Sequence, residues 1–416
     1  QLLSWLLLET EDYRRAFVFA RRYESQTNQT NYSLYSLGNR LRSAREYEIA
    51  ADAYSYYIDT QTGPVTRAME EKAATFILWA RYLEQQGIGS FRQVEKLYED
   101  AYSLNESIVE TSPNYNRMER VYTTLIDLSL DHFKDIDKAD RWYGKLSAIT
   151  ARDSSAEPFT LYSEGRIALF NEDYTTARQA LTRADRATEN TNLSEKSRYY
   201  LSLSDFFAGD YEFAQVQLSS LERRNTSYFA NNAIKLGMWI KNGLRIDSTG
   251  TELDGFSSAI RLLHTGRYES AISSSDSLLN QPSHPFADDL VIEFSGELPA
   301  RFQPYVLTRL QQQVASNPNS PKRERLMWER AEIADQLLTA ASLNEGPSPD
   351  VSFFTPDNSS YNFMIDEKVL TFGGETIMLN RSSIRDLYEE ILLEFPDGFY
   401  AHYTREKLQN DEIQTL

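Results

Sequence analysis

The sequence predicts an all-α protein: an α-solenoid of stacked antiparallel helical hairpins, with a small β-hairpin inserted near the C-terminus. One phrase returns along the chain, a large and mostly aromatic residue followed by side chains at three, seven and ten. It reads Tyr13/Ala16/Ala20/Tyr23, Tyr47/Ala50/Tyr54/Tyr57, Phe91/Val94/Tyr98/Ala101 and Ile136/Ala139/Tyr143/Leu146. Tyr174/Ala177/Leu181/Ala184, Tyr211/Ala214/Leu218/Leu221 and Tyr268/Ala271/Ser275/Leu278 complete it. That spacing marks one stripe of a helix. The copies begin 34, 44, 45, 38, 37 and 57 residues apart, the length of a hairpin that buries its apolar face only against a neighbour. Only 17 Gly and 13 Pro interrupt 416 residues, while 26 Tyr and 21 Phe supply a continuous core. These features point towards binding rather than chemistry.

The elements follow in order. Tyr13 in the phase of Tyr47 places the start of the first helix a few residues before Gln1, so further sequence upstream is expected. In the second copy, Leu34-Tyr-Ser-Leu37-Gly38 is an apolar–small pair on a first helix, where Gly38 admits the facing helix. Arg45-Glu46-Tyr47 turns the chain, and Ala50, Tyr54 and Tyr57 face inward from the second helix. The longer steps need extra helix: one long helix over 67–86 before the turn at 87–90, and an added helix over 228–242 before a polar turn at 247–251. Pro282-Ser-His-Pro-Phe-Ala-Asp-Asp-Leu290 starts a helix after a repeat end. A break at 296–304 is followed by helices over 303–316 and 323–341.

Asn344-Glu-Gly-Pro-Ser-Pro349 opens an insertion. Residues 351–355, 361–365 and 369–372 alternate with period two, and Gly373-Gly374 is a hairpin turn, so 350–381 reads as a β-hairpin element. A helix over 384–395 ends at Pro396, and Gly398-Phe-Tyr-Ala401 opens the last one. The chain thus divides into a repeat array over 1–285, looser helical hairpins over 286–342, the insertion over 343–383 and a helical pair over 384–416.

The copies resemble the tetratricopeptide repeat, whose consensus places Leu-Gly on the first helix and Gly-x-Tyr-x2-Ala at the turn into the second. Leu37-Gly38 matches, Leu34 stands for the consensus Trp, and Arg45 replaces the turn Gly. Glu164-Gly165 with Tyr174 and Ala177 is a further copy, as are Gly209-Asp210-Tyr211/Ala214 and Gly266-Arg267-Tyr268/Ala271. The phrase from Leu387 through Phe395-Pro396 to Tyr400-Ala401 resembles a signature of bacterial envelope repeat proteins. These are the outer-membrane assembly lipoproteins of the BamD type and Tol-Pal-associated proteins; Gly398 stands where they carry Ser. The resemblance implies a scaffold role in the periplasm.

Composition narrows the partner. The formal charge is −18, from 61 acidic and 43 basic residues, which opposes phosphate binding and therefore nucleic acid. There is no Cys, which rules out thiolate zinc sites, disulfides and thiol nucleophiles. The apolar start Gln1-Leu-Leu-Ser-Trp-Leu-Leu-Leu8 is too short to span a bilayer, and no other segment approaches a span. His132, His264, His284 and His402 each stand alone, and neither a phosphate loop nor a nucleophile elbow occurs. No cofactor or metal is expected. Asn-x-Ser/Thr triplets begin at Asn28, Asn31, Asn105, Asn192, Asn225, Asn358 and Asn380, a number that chance supplies in so polar a chain.

In stacked hairpins of this kind the first helix of each pair lines the concave side. The candidate groove residues are Tyr32, Tyr35, Asn39 and Arg42 in the second repeat, Phe159, Tyr162 and Arg166 in the fifth, and Lys196 and Tyr199 in the sixth. Tyr and Arg dominate binding hot spots. The expected function is a non-enzymatic scaffold of the bacterial envelope that binds a protein or peptide. It would lie in the periplasm, with a lipid anchor upstream of Gln1 as one attachment to the outer membrane. Two alternatives are a cytoplasmic adaptor or regulator, and the substrate-positioning array of a glycan or peptidoglycan enzyme whose catalytic domain lies outside this chain.

Overall fold

Every one of the seven phrases opens a helix. The computed structural model describes residues 2–27, 33–189, 191–222, 229–281, 284–342, 362–363, 368–372 and 375–414. Its first ten helices are α1 (Leu2–Glu9), α2 (Tyr13–Thr27), α3 (Ser33–Ser43), α4 (Tyr47–Thr60), α5 (Thr66–Gln86), α6 (Phe91–Thr111), α7 (Met118–Asp131), α8 (Ile136–Thr150), α9 (Glu157–Phe170) and α10 (Tyr174–Ala187). Then come α11 (Asn192–Phe207), α12 (Tyr211–Glu222), α13 (Ala230–Ile246), α14 (Thr251–His264), α15 (Tyr268–Leu279), α16 (Ala287–Glu297), α17 (Gln303–Ser316), α18 (Arg323–Ser342), α19 (Arg381–Glu394) and α20 (Ala401–Gln414). Among the described residues no helix is long and apolar enough to cross a membrane.

The chain forms two compact units. One comprises Gln1–Ala208 with Val216–Ala233, the other Gly209–Gln215 with Ile234–Leu416. In the first unit, sequence neighbours pair as α1/α2, α3/α4, α5/α6, α7/α8 and α9/α10, while α9 also meets both α7 and α11. In the second, α14 pairs with α15, α16 with α17, and α14, α16 and α18 run side by side. The added helix α13 explains why the first helix of a pair is odd-numbered in one unit and even-numbered in the other. These are antiparallel helical hairpins.

The turn ahead of each of the seven phrases has one conformation. Two residues ahead of each phrase, Glu11, Arg45, Gly89, Lys134, Glu172, Gly209 and Gly266 all adopt φ between +51° and +89°. In the second copy Glu46 N donates to Leu41 O at 2.9 Å and Arg45 N to Arg42 O at 3.0 Å, the bonding of a left-handed helix stop. The same pair of bonds recurs at Glu11/Asp12, Glu172/Asp173 and Gly266/Arg267. The following residue often caps the next helix: Ser90, Asp135 and Asp173 each accept from a backbone N–H three residues on.

Small residues let the paired helices close. A Cβ at Gly38 would lie 2.9 Å from the Tyr54 ring, and one at Gly165 only 2.5 Å from Leu181 Cγ. Around Gly38, Leu34, Leu41, Ala50, Ala53 and Tyr54 are fully buried. Burying each such leucine contributes about 1.5–3 kcal/mol, so the hairpins are held mainly by this packing.

The long helix and the added helix expected from the sequence are α5 and α13, the latter running four residues further than expected. The helix expected from 384 starts at Arg381, because Asn380 and Ser383 form a reciprocal cap ahead of it. Of the insertion, β1 (Asn362–Phe363), β2 (Lys368–Phe372) and β3 (Glu375–Leu379) form an antiparallel sheet in that order. Phe372 pairs with Glu375. The turn Gly373-Gly374, the opening Asn344-Glu-Gly-Pro-Ser-Pro349, the stretch 351–355, and Pro282 and Ser283 lie outside the described residues.

Candidate functional site

Three consecutive first helices each carry a polar pair four residues apart: Asp127 and Asp131 on α7, Tyr162 and Arg166 on α9, Lys196 and Tyr200 on α11. A spacing of four places both members on one helix face. The pairs repeat at steps of 35 and 34 residues, so hairpin stacking brings them into register. Asp127 accepts from Tyr162 Oη at 2.8 Å, Arg166 Nη1 at 2.6 Å and Lys196 Nζ at 2.8 Å. Asp131 accepts from Arg166 Nη2 at 2.5 Å and Tyr200 Oη at 2.9 Å, with Arg81 Nη2 of α5 at 3.7 Å.

Arg166 lies at the centre of this ladder, with its side chain fully buried between the two carboxylates. Its Nε has no hydrogen-bond partner, but the Tyr200 ring lies 3.5 Å from the guanidinium carbon, a cation–π contact. Burial opposes the charge, yet Asp131, the two tyrosines and Asp127 hold the guanidinium well above its ordinary pKa. Burial, reinforced by the nearby carboxylates, pushes the Tyr162 and Tyr200 hydroxyls well above theirs. The two carboxylates are engaged by donors on all sides, which suits holding helices in register rather than abstracting a proton.

The sequence-predicted residues divide accordingly. Tyr162 and Arg166 are not offered to a ligand: both are buried, because the facing carboxylates of α7 draw them inward. Lys196 keeps part of its side chain in solvent, and Tyr199 and Phe159 are half-buried, the latter with the Arg120 guanidinium 6.0 Å away. Tyr35, Asn39 and Arg42 are brought together at the α3/α5 contact. Asn39 Oδ1 accepts from Tyr54 Oη at 2.7 Å, and Arg42 Nη1 donates to Glu71 at 2.6 Å. Tyr35 accepts from Arg67 Nε at 3.4 Å and packs edge-on against Tyr54. Beside them Glu70 accepts from Tyr115 at 2.5 Å; its pKa is raised, chiefly by burial. Tyr32 lies outside the described residues.

Sequence reading missed Asp127, Asp131, Tyr200 and Arg81. The signal was present: a polar i, i+4 pair on a first helix, returning at the repeat period. In the second unit, a cavity of about 240 Å³ is lined by Leu279, Asn280, Val291, Arg309, Gln312 and Gln313. That is below the usual size of a small-molecule site, and Arg309 already reaches Asp276 at 3.0 Å. Among the described residues no group of three or more His, Asp or Glu side chains could hold a metal ion.

No protein-family model matches the sequence, and no curated protein matches it. Among solved structures, the chain matches the crystal structure of the P58(IPK) TPR domain at 13% identity, over 99% of this chain and 97% of that one, with a TM-score of 0.22. At that score the likeness carries no structural weight; the hairpins, turns and close helix contacts described above carry the fold.

Proposed function

We propose that this chain is a non-enzymatic protein–protein interaction scaffold of the bacterial cell envelope, binding a partner along the face presented by its first helices. The observation that supports this best is the ladder from Asp127 to Tyr200. It fixes three first helices in register and leaves Lys196 and Tyr199 partly exposed beside it. A rigid face of aromatic and basic side chains suits recognition of a polypeptide. The envelope location is supported by the phrase from Leu387 to Ala401, in which Tyr388 and Tyr400 pack on Trp328, with centroids 5.9 and 5.0 Å away.

The test is site-specific photo-crosslinking in cells, with the probe at Tyr35 or Lys196 and at the exposed Leu393 as control, followed by fractionation. The expected result is a discrete protein adduct in the envelope fraction from the first two positions only. Equal labelling from all three positions, or adducts confined to the cytoplasm, would overturn the reading.

A further inference from the structure

Phe229 immediately precedes α13, yet it is only 2% exposed. Its ring stacks on Tyr199 at 4.8 Å and 26°, meets Tyr200 edge-on at 5.8 Å, and lies 5.7 Å from the Arg81 guanidinium. Three residues on, Asn232 Oδ1 accepts from Gln85 Nε2 at 3.0 Å, and Asn231 Nδ2 donates to Gln85 Oε1 at 3.3 Å. These contacts join residues 146 and 147 positions apart. Arg81 and Gln85 are themselves four apart on α5, one more polar pair on a first helix.

The hairpin core also buries aromatic side chains, among them Tyr54, Tyr98 and Trp142. At Phe229 two phenols and a guanidinium are joined by a carboxamide that bonds two successive asparagines. Aromatic faces, a cation and a two-way carboxamide are the groups that recognise a polypeptide segment. The Arg166 guanidinium, 3.5 Å from the Tyr200 ring, holds that wall in place.

The geometry points to a recognition site on the first helices that the protein occupies with its own chain. Phe229 to Asn232 is a built-in ligand, and the partner that displaces it carries an aromatic side chain with a carboxamide three residues later. This rests on the protein-binding reading above and names the chemistry of the partner. While the segment is seated, the site is open only in the fraction of molecules that have released it, so external affinity is reduced by that fraction.

The test uses a fluorescent peptide of residues 225–233 and anisotropy titration against the full chain. Phe229→Ala empties the aromatic site and should bind the peptide at least about tenfold more tightly than wild type. A peptide with alanine in place of its Phe should not bind that variant. Asn232→Ala removes only the carboxamide contact and should show a gain of about threefold. If Phe229→Ala folds by far-UV circular dichroism but binds no better than wild type, the inference is wrong. Should that variant not fold, Asn232→Ala decides, and an affinity unchanged from wild type overturns the idea. The assay contains no cellular partner, so a failed crosslinking experiment would sink the scaffold reading and leave this result standing.

Discussion

The two units solve the same electrostatic problem in different ways. In the ladder of the first unit, Asp127 and Asp131 meet partners on α9 and α11 that lie 35, 39 or 69 residues on, because these helices are successive first helices of stacked repeats. In the second, Arg330 meets Glu390 at 2.5 Å, Tyr388 donates to Glu332 at 2.6 Å, and Lys407 reaches Glu332 at 2.7 Å. Those partners are far apart in sequence because the insertion separates α18 from α19, although the helices are neighbours. Solvent access differs as well: Arg166 and Asp127 are both enclosed, whereas each closing pair joins a buried member, Arg330 or Glu332, to one that is 45% or 37% exposed, Glu390 or Lys407. A repeat-phased ladder is enclosed by the hairpins that build it, while an ion pair at the closing helices keeps one partner in water.

That contrast is broken or sharpened most directly by Asp127→Ala. Removing this carboxylate leaves Arg166 buried with half its compensation, at a cost of about 3–5 kcal/mol in urea unfolding. The next largest effect concerns packing under the ladder. Gly165→Ala drives a Cβ into Leu181 and should cost about 1–3 kcal/mol, read as a lower melting temperature with unchanged far-UV dichroism. Glu390→Ala in the second unit should cost less, about 1 kcal/mol, because the lost carboxylate is half in water and Gln311, 3.2 Å from Arg330 Nη1, still holds the buried cation. Equal losses from Asp127→Ala and Glu390→Ala would abolish the distinction between the two clusters.

The smallest effects lie in the turns. Gly209→Ala should destabilise by about 1 kcal/mol, whereas Glu172→Gly should be neutral or stabilise by a few tenths, since the same left-handed φ strains a side chain and not glycine. Opposite signs in thermal melts would show that seven turns share one conformation while only some of them carry the residue suited to it.

Much of the fold was legible because packing forces it into the sequence. The phrase beginning at Tyr47 has to repeat, since each second helix meets the same kind of neighbour, and Gly38 has to be small opposite Tyr54. The site was legible only in part. Arg166 and Tyr162 were recognisable as first-helix residues, but whether such residues face solvent depends on the adjacent repeat. Asp127 and Asp131, one period earlier, turn them inward. Arg45 shows the converse: the motif lacks its glycine there, and the chain keeps the turn because the hydrogen bonds to Leu41 and Arg42 outweigh the local strain.

Local order was therefore written in the sequence by itself: helix starts, hairpin period, the long α5 and the added α13. These follow from periodic burial, which any chain must encode residue by residue. Only the tertiary structure decided which polar side chains meet. The encounters of Asp131 with Tyr200, and of Gln85 with Asn232, join residues 69 and 147 positions apart. Such contacts depend on how successive hairpins rotate against one another, and that rotation is set by the summed packing of many side chains and by no single motif.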